Sequence, residues 1–189
     1  KEDFKISFSL LKQLFTSGFA MGFMVSFVDI GTVALQSAIN SLGSSHIVAA
    51  HAAARKVSGF MMMPYGALNT TVATFCSQNL GAGEIARIKK GIRNCILVAW
   101  AWSVAVVIFG LTPLCNFTLQ WLIGADKTEA INIAVYYLRI NTPFYFVLAV
   151  LLVLRCAMQG LSRGVVPVVS SFIELVGKIV IAFIFAPML

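Results

Sequence analysis

The sequence predicts an all-α fold, a polytopic bundle of transmembrane helices, on three observations. The 189-residue chain is 59% hydrophobic and only 11% charged, whereas a soluble domain carries about 25% charged residues. Its mean hydropathy is +0.91. The apolar residues collect in long segments, each near or above the roughly 20 residues that a spanning helix needs, and the basic residues lie mostly at the ends of these segments.

The first segment, residues 1–17, combines apolar residues at helical spacing with lysines between them. The apolar residues are Phe4, Phe8, Leu11 and Phe15, and the lysines are Lys1, Lys5 and Lys12. This pattern favours a short interfacial helix within a cytoplasmic linker that leads into the bilayer. A solvated linker is the alternative.

Five apolar segments follow, and each is predicted to span the membrane. They are residues 18–42, 46–80, 92–123, 128–160 and 165–186. Pro64, Pro113 and Pro143 lie in three of them, and a proline removes one backbone hydrogen bond and bends a helix. Neighbouring helices can satisfy the freed carbonyl groups in a membrane. The prolines therefore indicate either bent helices around a cavity or ordinary packing kinks.

The basic residues predict the orientation of the spans. If the N-terminal lysines lie in the cytoplasm, alternation of five spans places residues 81–91 and 161–164 on the same side. Eight basic residues then lie at that surface, namely Lys1, Lys5, Lys12, Arg87, Lys89, Lys90, Arg93 and Arg163. The opposite connections hold only Lys127. This bias predicts a multi-pass protein of the plasma membrane with residues 1–17 and 81–91 in the cytoplasm.

Asp29 lies near the middle of the first span, where a charge is costly and is a candidate for function. Gln36 and Asn40 follow at steps of seven and four residues, which places the three side chains near one helical face. A carboxylate removed from water can bind a cation or take up a proton. This face is therefore predicted to hold a cation or proton coupling site. The alternative is a structural pair between Asp29 and an arginine of another span, Arg55, Arg139 or Arg155.

Glu174 and Lys178 are four residues apart in the fifth span, a spacing at which opposite charges can neutralise each other. The spacing favours a structural ion pair. Arg155 lies towards the cytoplasmic end of the fourth span, and it either reaches the membrane surface or pairs with Glu174.

Four residues beside two of the prolines are candidates for lining a substrate cavity. They are Met63 and Tyr65 beside Pro64, and Asn141 and Tyr145 beside Pro143. A thioether adapts to varied apolar shapes, which suits a drug-binding wall. Core packing and hydrogen bonds between helices are the alternatives, and they are the more common uses of such residues.

Motifs for other functions are missing from the sequence. The four cysteines have no CxxC spacing, which fits apolar packing better than a disulfide or metal framework. His46 and His51 have no acid between them and do not form the HExxH motif of a zinc protease. The sequence contains no nucleophile elbow, phosphate loop or paired catalytic carboxylates. It therefore predicts a protein that is not an enzyme, with no metal, no cofactor and no nucleic-acid partner.

Several motifs together resemble the second half of a multidrug and toxic compound extrusion (MATE) transporter. They are LQSAIN-LG, VAAHAAARK, Pro64, QNLGAG with its basic continuation up to Gly91, YYLRINTPFYF, LRCAMQGLSRGVVP and FIELVGK. The resemblance extends over essentially the whole chain. It implies that residues 18–189 are part of a C-terminal bundle, helices seven to eleven of twelve, and that the N-terminal bundle and last helix lie outside this sequence.

The resemblance also implies a function. Such transporters export cationic or amphipathic compounds through a central cavity, driven by entry of sodium or protons. Some members place a cation-binding acid in the seventh helix, close to the position of Asp29. Two alternatives stay open, namely a lipid-linked oligosaccharide flippase of the same superfamily and a membrane scaffold that transports nothing. The few basic residues near mid-membrane argue against a pyrophosphate-binding flippase, and the polar stripe argues against a scaffold.

Overall fold

The computed structural model describes residues 7–41 and 43–185, and within them the regular secondary structure is entirely helical. The α-helices are α1 (Phe8–Ser41), α2 (Ser45–Gly81), α3 (Ile85–Leu111), α4 (Pro113–Ile123), α5 (Thr128–Asn141), α6 (Tyr145–Gly160) and α7 (Val165–Val180). A 3-10 turn, Thr142–Phe144, joins α5 to α6, and a π-helical turn, Ile181–Phe185, continues α7. The prediction of an all-α transmembrane bundle is confirmed.

Four helical segments of the described chain are long and apolar enough to cross a membrane. They are Phe8–Ser41, Ile85–Leu111, Thr128–Gly160 and Val165–Ile184. The predicted span at 46–80 forms as α2, which is long enough with 37 residues. However, α2 is not among the four candidate spans, and its sequence includes polar residues such as His51, Arg55 and Lys56. The predicted number of five spanning helices is therefore approximate.

The described part of the predicted interfacial segment is continuous with the first span. Helix α1 is continuous from Phe8 to Ser41, and nothing marks a boundary between residues 17 and 18. No proline interrupts this stretch, and isolated glycines such as Gly18 and Gly22 are tolerated inside a helix. Residues 1–6, which carry part of the predicted interfacial pattern, lie outside the described residues.

The prolines affect the helices in different ways. Pro64 lies inside α2 without ending it. Pro113 starts α4 directly after α3, so the predicted span at 92–123 consists of two helices. Proline is well suited to the first turn of a helix because the N–H that it lacks would have no partner there. Pro143 lies in the 3-10 turn between α5 and α6.

Helices α2 to α6 surround one apolar core. Tyr65, Leu119, Leu138 and Val153 are among its largest fully buried side chains. Helix α1 lies along α7 and has little contact with α2. The pair α1–α7 therefore joins the other helices largely through α6. Arg155, Glu174 and Lys178 lie at this junction.

Candidate functional site

Asp29, Gln36 and Asn40 lie along α1 as a polar stripe. Gln36 Nε2 donates a hydrogen bond to Asn40 Oδ1 over 2.9 Å. Asp29 and Asn40 are exposed and Gln36 is half-buried, whereas Gly31 is buried against α7. The Asp29 carboxylate is thus accessible in the middle of an apolar helix, two residues from the face that contacts α7.

The described part of the chain gives Asp29 no salt-bridge partner. Of the three arginines considered as partners, Arg155 pairs with Glu174 instead. Arg55 and Arg139 are exposed on α2 and α5, and neither is paired with Asp29. Asp29 therefore differs from Glu174, the other acid in the interior of a predicted span, because Glu174 is paired with two cations.

Glu174 joins two cations at the junction of α6 and α7. Its Oε2 lies 2.9 Å from Nη1 of Arg155, and its Oε1 lies 2.8 Å from Nζ of Lys178 one turn further along α7. The Arg155 side chain is 9% exposed, while the other two are 28% and 25% exposed. We call Arg155, Glu174 and Lys178 the charged cluster. Because removing charges from water is costly, the cluster is tolerable only as long as its members compensate one another.

Hydrogen bonds extend the charged cluster to α1. Arg155 Nε donates to Ser170 Oγ over 3.0 Å on α7. Lys178 Nζ lies 3.4 Å from Thr32 Oγ1 and 3.5 Å from the Val28 carbonyl oxygen on α1. The cluster therefore links α6, α7 and α1, and its contact at Val28 is one residue away from Asp29.

The four candidate cavity residues occupy different environments. Tyr65 is 1% exposed and its hydroxyl lies 2.8 Å from Ser103 Oγ. Tyr145 is also buried, with its ring centroid 6.0 Å from that of Tyr65. Met63 is exposed on α2, and Asn141 is half-buried at the end of α5. The structure thus brings the two tyrosines together inside the core and places Met63 at the surface.

Comparison with known proteins identifies the family. A family model described as MatE matches residues 17–184. The chain belongs to the MatE family. Since it also carries several helices apolar and long enough to cross a bilayer, this MatE family member is a multi-pass membrane protein.

One curated relative extends the comparison beyond this chain. It is the "Probable multidrug resistance protein YoeA" of Bacillus subtilis (strain 168), which is 25% identical over 182 residues. The alignment covers 95% of this chain but 38% of the relative. The chain therefore spans well under half of the length of the curated protein that it matches. No solved structure gives a significant match.

The two histidines of this MatE family member, His46 and His51, lie on α2 in different surroundings. His51 is buried with its ring against Tyr137, at a centroid distance of 5.8 Å. His46 is exposed at the start of α2, where its Nε2 lies 3.8 Å from Glu129 Oε2. Over residues 7–41 and 43–185, no three side chains of His, Cys, Asp or Glu come together as a metal site would require.

Sequence reasoning missed several polar partners. Ser170 precedes Glu174 by four residues and Lys178 follows by four, so this row along α7 was visible in the sequence. Thr32 on α1 and Ser103 on α3 gave no such signal, because each meets its partner only through tertiary packing.

Proposed function

We propose that this chain is part of the C-terminal lobe of a cation-coupled antiporter that exports drugs and other amphipathic or cationic compounds. Membership of the MatE family and the name of the Bacillus subtilis relative support a multidrug efflux transporter. In this proposal the chain supplies helices seven to eleven of twelve. Export requires the N-terminal bundle as well, with the two bundles rocking about a central cavity.

The observation that carries the proposal is the contrast between Asp29 and Glu174, the two acids in the interior of the predicted spans. Glu174 is held between two cations, whereas Asp29 is accessible and without a salt bridge to any described residue. An uncompensated carboxylate at membrane depth favours binding of a cation or a proton. Asp29 would bind the coupling ion, with Gln36 and Asn40 as polar neighbours.

The charged cluster has a positioning role in this proposal. By linking α6, α7 and α1, it holds the segment of α1 that carries Asp29 beside the rest of the bundle. Met63 and Asn141, which lie outside the closed core, are the better candidates for substrate contact. Tyr65 and Tyr145 would support them from inside the core.

The proposed site of action is the plasma membrane. Four basic residues of the predicted cytoplasmic surface lie at the start of α3, namely Arg87, Lys89, Lys90 and Arg93. Orientation with residues 1–17 and 81–91 in the cytoplasm is the arrangement that the positive-inside bias favours. Sodium or protons would then enter as the exported compound leaves.

The test is ethidium efflux from cells that express the full-length transporter containing this chain. Asp29→Asn removes the charge and keeps the shape of the side chain. The matched control is Asp126→Asn, since Asp126 is exposed in the connection between α4 and α5. All variants are compared at equal membrane abundance, with and without a sodium gradient and with a protonophore.

We expect Asp29→Asn to reduce efflux at least tenfold and Asp126→Asn to leave it unchanged. Dependence on the sodium gradient or on the protonophore would identify the coupling ion. Full efflux by Asp29→Asn would contradict a coupling role for Asp29. A complete lack of efflux by the unmodified transporter would contradict drug export itself.

A further inference from the structure

A groove of about 380 Å³ runs along the outside of the bundle between α2 and α3. Its lining includes Arg87, Lys90 and Asn94 near the start of α3. It also includes Leu68, Phe75 and Val98, which are apolar. None of the residues proposed for ion coupling or substrate contact lines this groove.

The two ends of the groove differ in polarity. Arg87 and Lys90 lie within the first two turns of α3, close to the turn that joins it to α2. Val98 lies eight residues beyond Lys90, which is about 12 Å further along the helix axis. Helix α2 runs in the opposite direction, so Leu68 also lies further from the turn than Phe75. The groove therefore has a basic mouth at the membrane surface and an apolar floor that extends into the bilayer.

The charge at the mouth is not compensated within the described protein. Arg87 and Lys90 are exposed, and neither has a salt bridge to a described acid. The groove lining contains two cations and no carboxylate. A ligand that complements this lining carries a negative charge at one end and an alkyl chain at the other.

We propose that the groove binds an anionic phospholipid. The phosphate group would pair with Arg87 and Lys90 and accept a hydrogen bond from the Asn94 amide. One acyl chain would lie on Leu68, Phe75 and Val98. Basic pockets between transmembrane helices at the membrane surface recognise anionic lipid headgroups in this way.

Gly91 shapes the floor of this groove. A Cβ atom at this position would collide with the ring of Phe75. Because glycine has no side chain, the Phe75 ring can lie directly against the α3 backbone. The ring thereby covers the helix with a flat apolar surface next to the basic mouth.

Topology alone is the competing explanation for the basic residues, and α3 offers a matched control for it. Lys89 and Arg93 belong to the same basic cluster and are also exposed, but they do not line the groove. The positive-inside effect counts all four residues alike. Lipid binding in the groove depends on Arg87 and Lys90 specifically.

In the experiment, the purified full-length transporter that contains this chain is titrated with dioleoyl phosphatidylglycerol or with dioleoyl phosphatidylcholine. Native mass spectrometry counts the bound lipids. We expect one phosphatidylglycerol to bind in preference to phosphatidylcholine. The double variant Arg87→Gln/Lys90→Gln should weaken that binding about tenfold. Lys89→Gln/Arg93→Gln, with the same loss of charge, should bind as the unmodified protein does.

A second variant tests the apolar part of the groove without changing the charge. Val98→Trp places a large ring over the floor and should also reduce phosphatidylglycerol binding. If Arg87→Gln/Lys90→Gln does not fold, Val98→Trp still tests whether phosphatidylglycerol binds in the groove. Inorganic phosphate at millimolar concentration should not displace the lipid, because it lacks the acyl chain.

Three results would overturn the proposal. One is equal binding of the two lipids by the unmodified protein. Another is an equal loss of phosphatidylglycerol binding in the two double variants, which would mean that the lipid is attracted to the basic surface in general and not to the groove. The third is displacement by inorganic phosphate alone, which would indicate an anion site without an acyl-chain groove.

Discussion

Gly31 of α1 lies directly against Lys178 of α7. A Cβ atom on Gly31 would lie 2.8 Å from Lys178 Cδ and 3.4 Å from Leu175 Cδ1. The absence of a side chain at Gly31 lets the lysine stem pass close to α1, so that its Nζ reaches Glu174, Thr32 and the Val28 carbonyl. The close packing of α1 on α7 and the geometry of the charged cluster therefore depend on the same glycine.

The first prediction concerns this contact. Gly31→Val should separate α1 from α7 and displace Lys178, with a cost of about 1–3 kcal/mol from overpacking. Gly22→Val is the matched control, because the space around Gly22 is open. Thermal unfolding of the detergent-solubilised protein, followed by circular dichroism, should show a lower midpoint for Gly31→Val alone. Equal midpoints for the two variants would contradict the described packing of α1 on α7.

The second prediction concerns the order of effects within the charged cluster. Glu174→Gln leaves two cations without their shared anion, and removing one partner of a buried ion pair costs about 3–5 kcal/mol. Lys178→Gln leaves Glu174 paired with Arg155 and should cost about 1 kcal/mol or less. The free energy of unfolding of both variants tests this order. A larger loss in Lys178→Gln than in Glu174→Gln would show that Glu174 is not the centre of the cluster.

The third prediction separates core packing from substrate contact at Tyr65. Tyr65→Phe removes the hydroxyl that meets Ser103, while Ser103 keeps its 2.9 Å hydrogen bond to the Ala99 carbonyl. We expect a loss of about 1 kcal/mol in stability and no change in the range of exported compounds. Tyr136→Phe, at an exposed position, should change neither property. A changed substrate range with unchanged stability would instead make Tyr65 a cavity residue.

The fourth prediction concerns the approach of α2 to α6. A Cβ atom on Gly160 would meet the Ala73 backbone, including its carbonyl oxygen. Backbone atoms cannot turn away as a side chain can, so Gly160→Ala should destabilise the bundle by about 1–3 kcal/mol. Gly66→Ala has open space around it and should be neutral or slightly stabilising, because alanine favours a helix more than glycine does. The yield of folded protein in the membrane and its unfolding midpoint measure both effects.

Features that depend on local spacing could be predicted from the sequence. The helical repeat places Gln36 and Asn40 on one face, and it brings Glu174 within reach of Lys178 one turn later. The length and apolar character of the segments predicted the bundle itself. Pro64 and Pro113 were visible in the sequence, but the sequence did not show that α2 would continue past Pro64 whereas Pro113 would start a new helix.

Features that depend on packing between distant segments could not be predicted. The sequence left Arg155 open between the membrane surface and Glu174, and only the position of α6 beside α7 decides between them. The contact of Tyr65 with Ser103 joins residues that are 38 positions apart. The separate packing of α1 with α7 likewise has no signature in either helix alone. The coupling role of Asp29 stays a prediction.

The most direct measurement of cation-coupled export uses proteoliposomes that contain the full-length transporter. An outward ethidium gradient is imposed, and a sodium-sensitive and a pH-sensitive dye report cation movement across the membrane. We predict that ethidium release drives sodium or protons in the opposite direction and that Asp29→Asn abolishes this exchange. Ethidium release with no opposing cation movement, or an unchanged exchange in Asp29→Asn, would contradict the proposed mechanism.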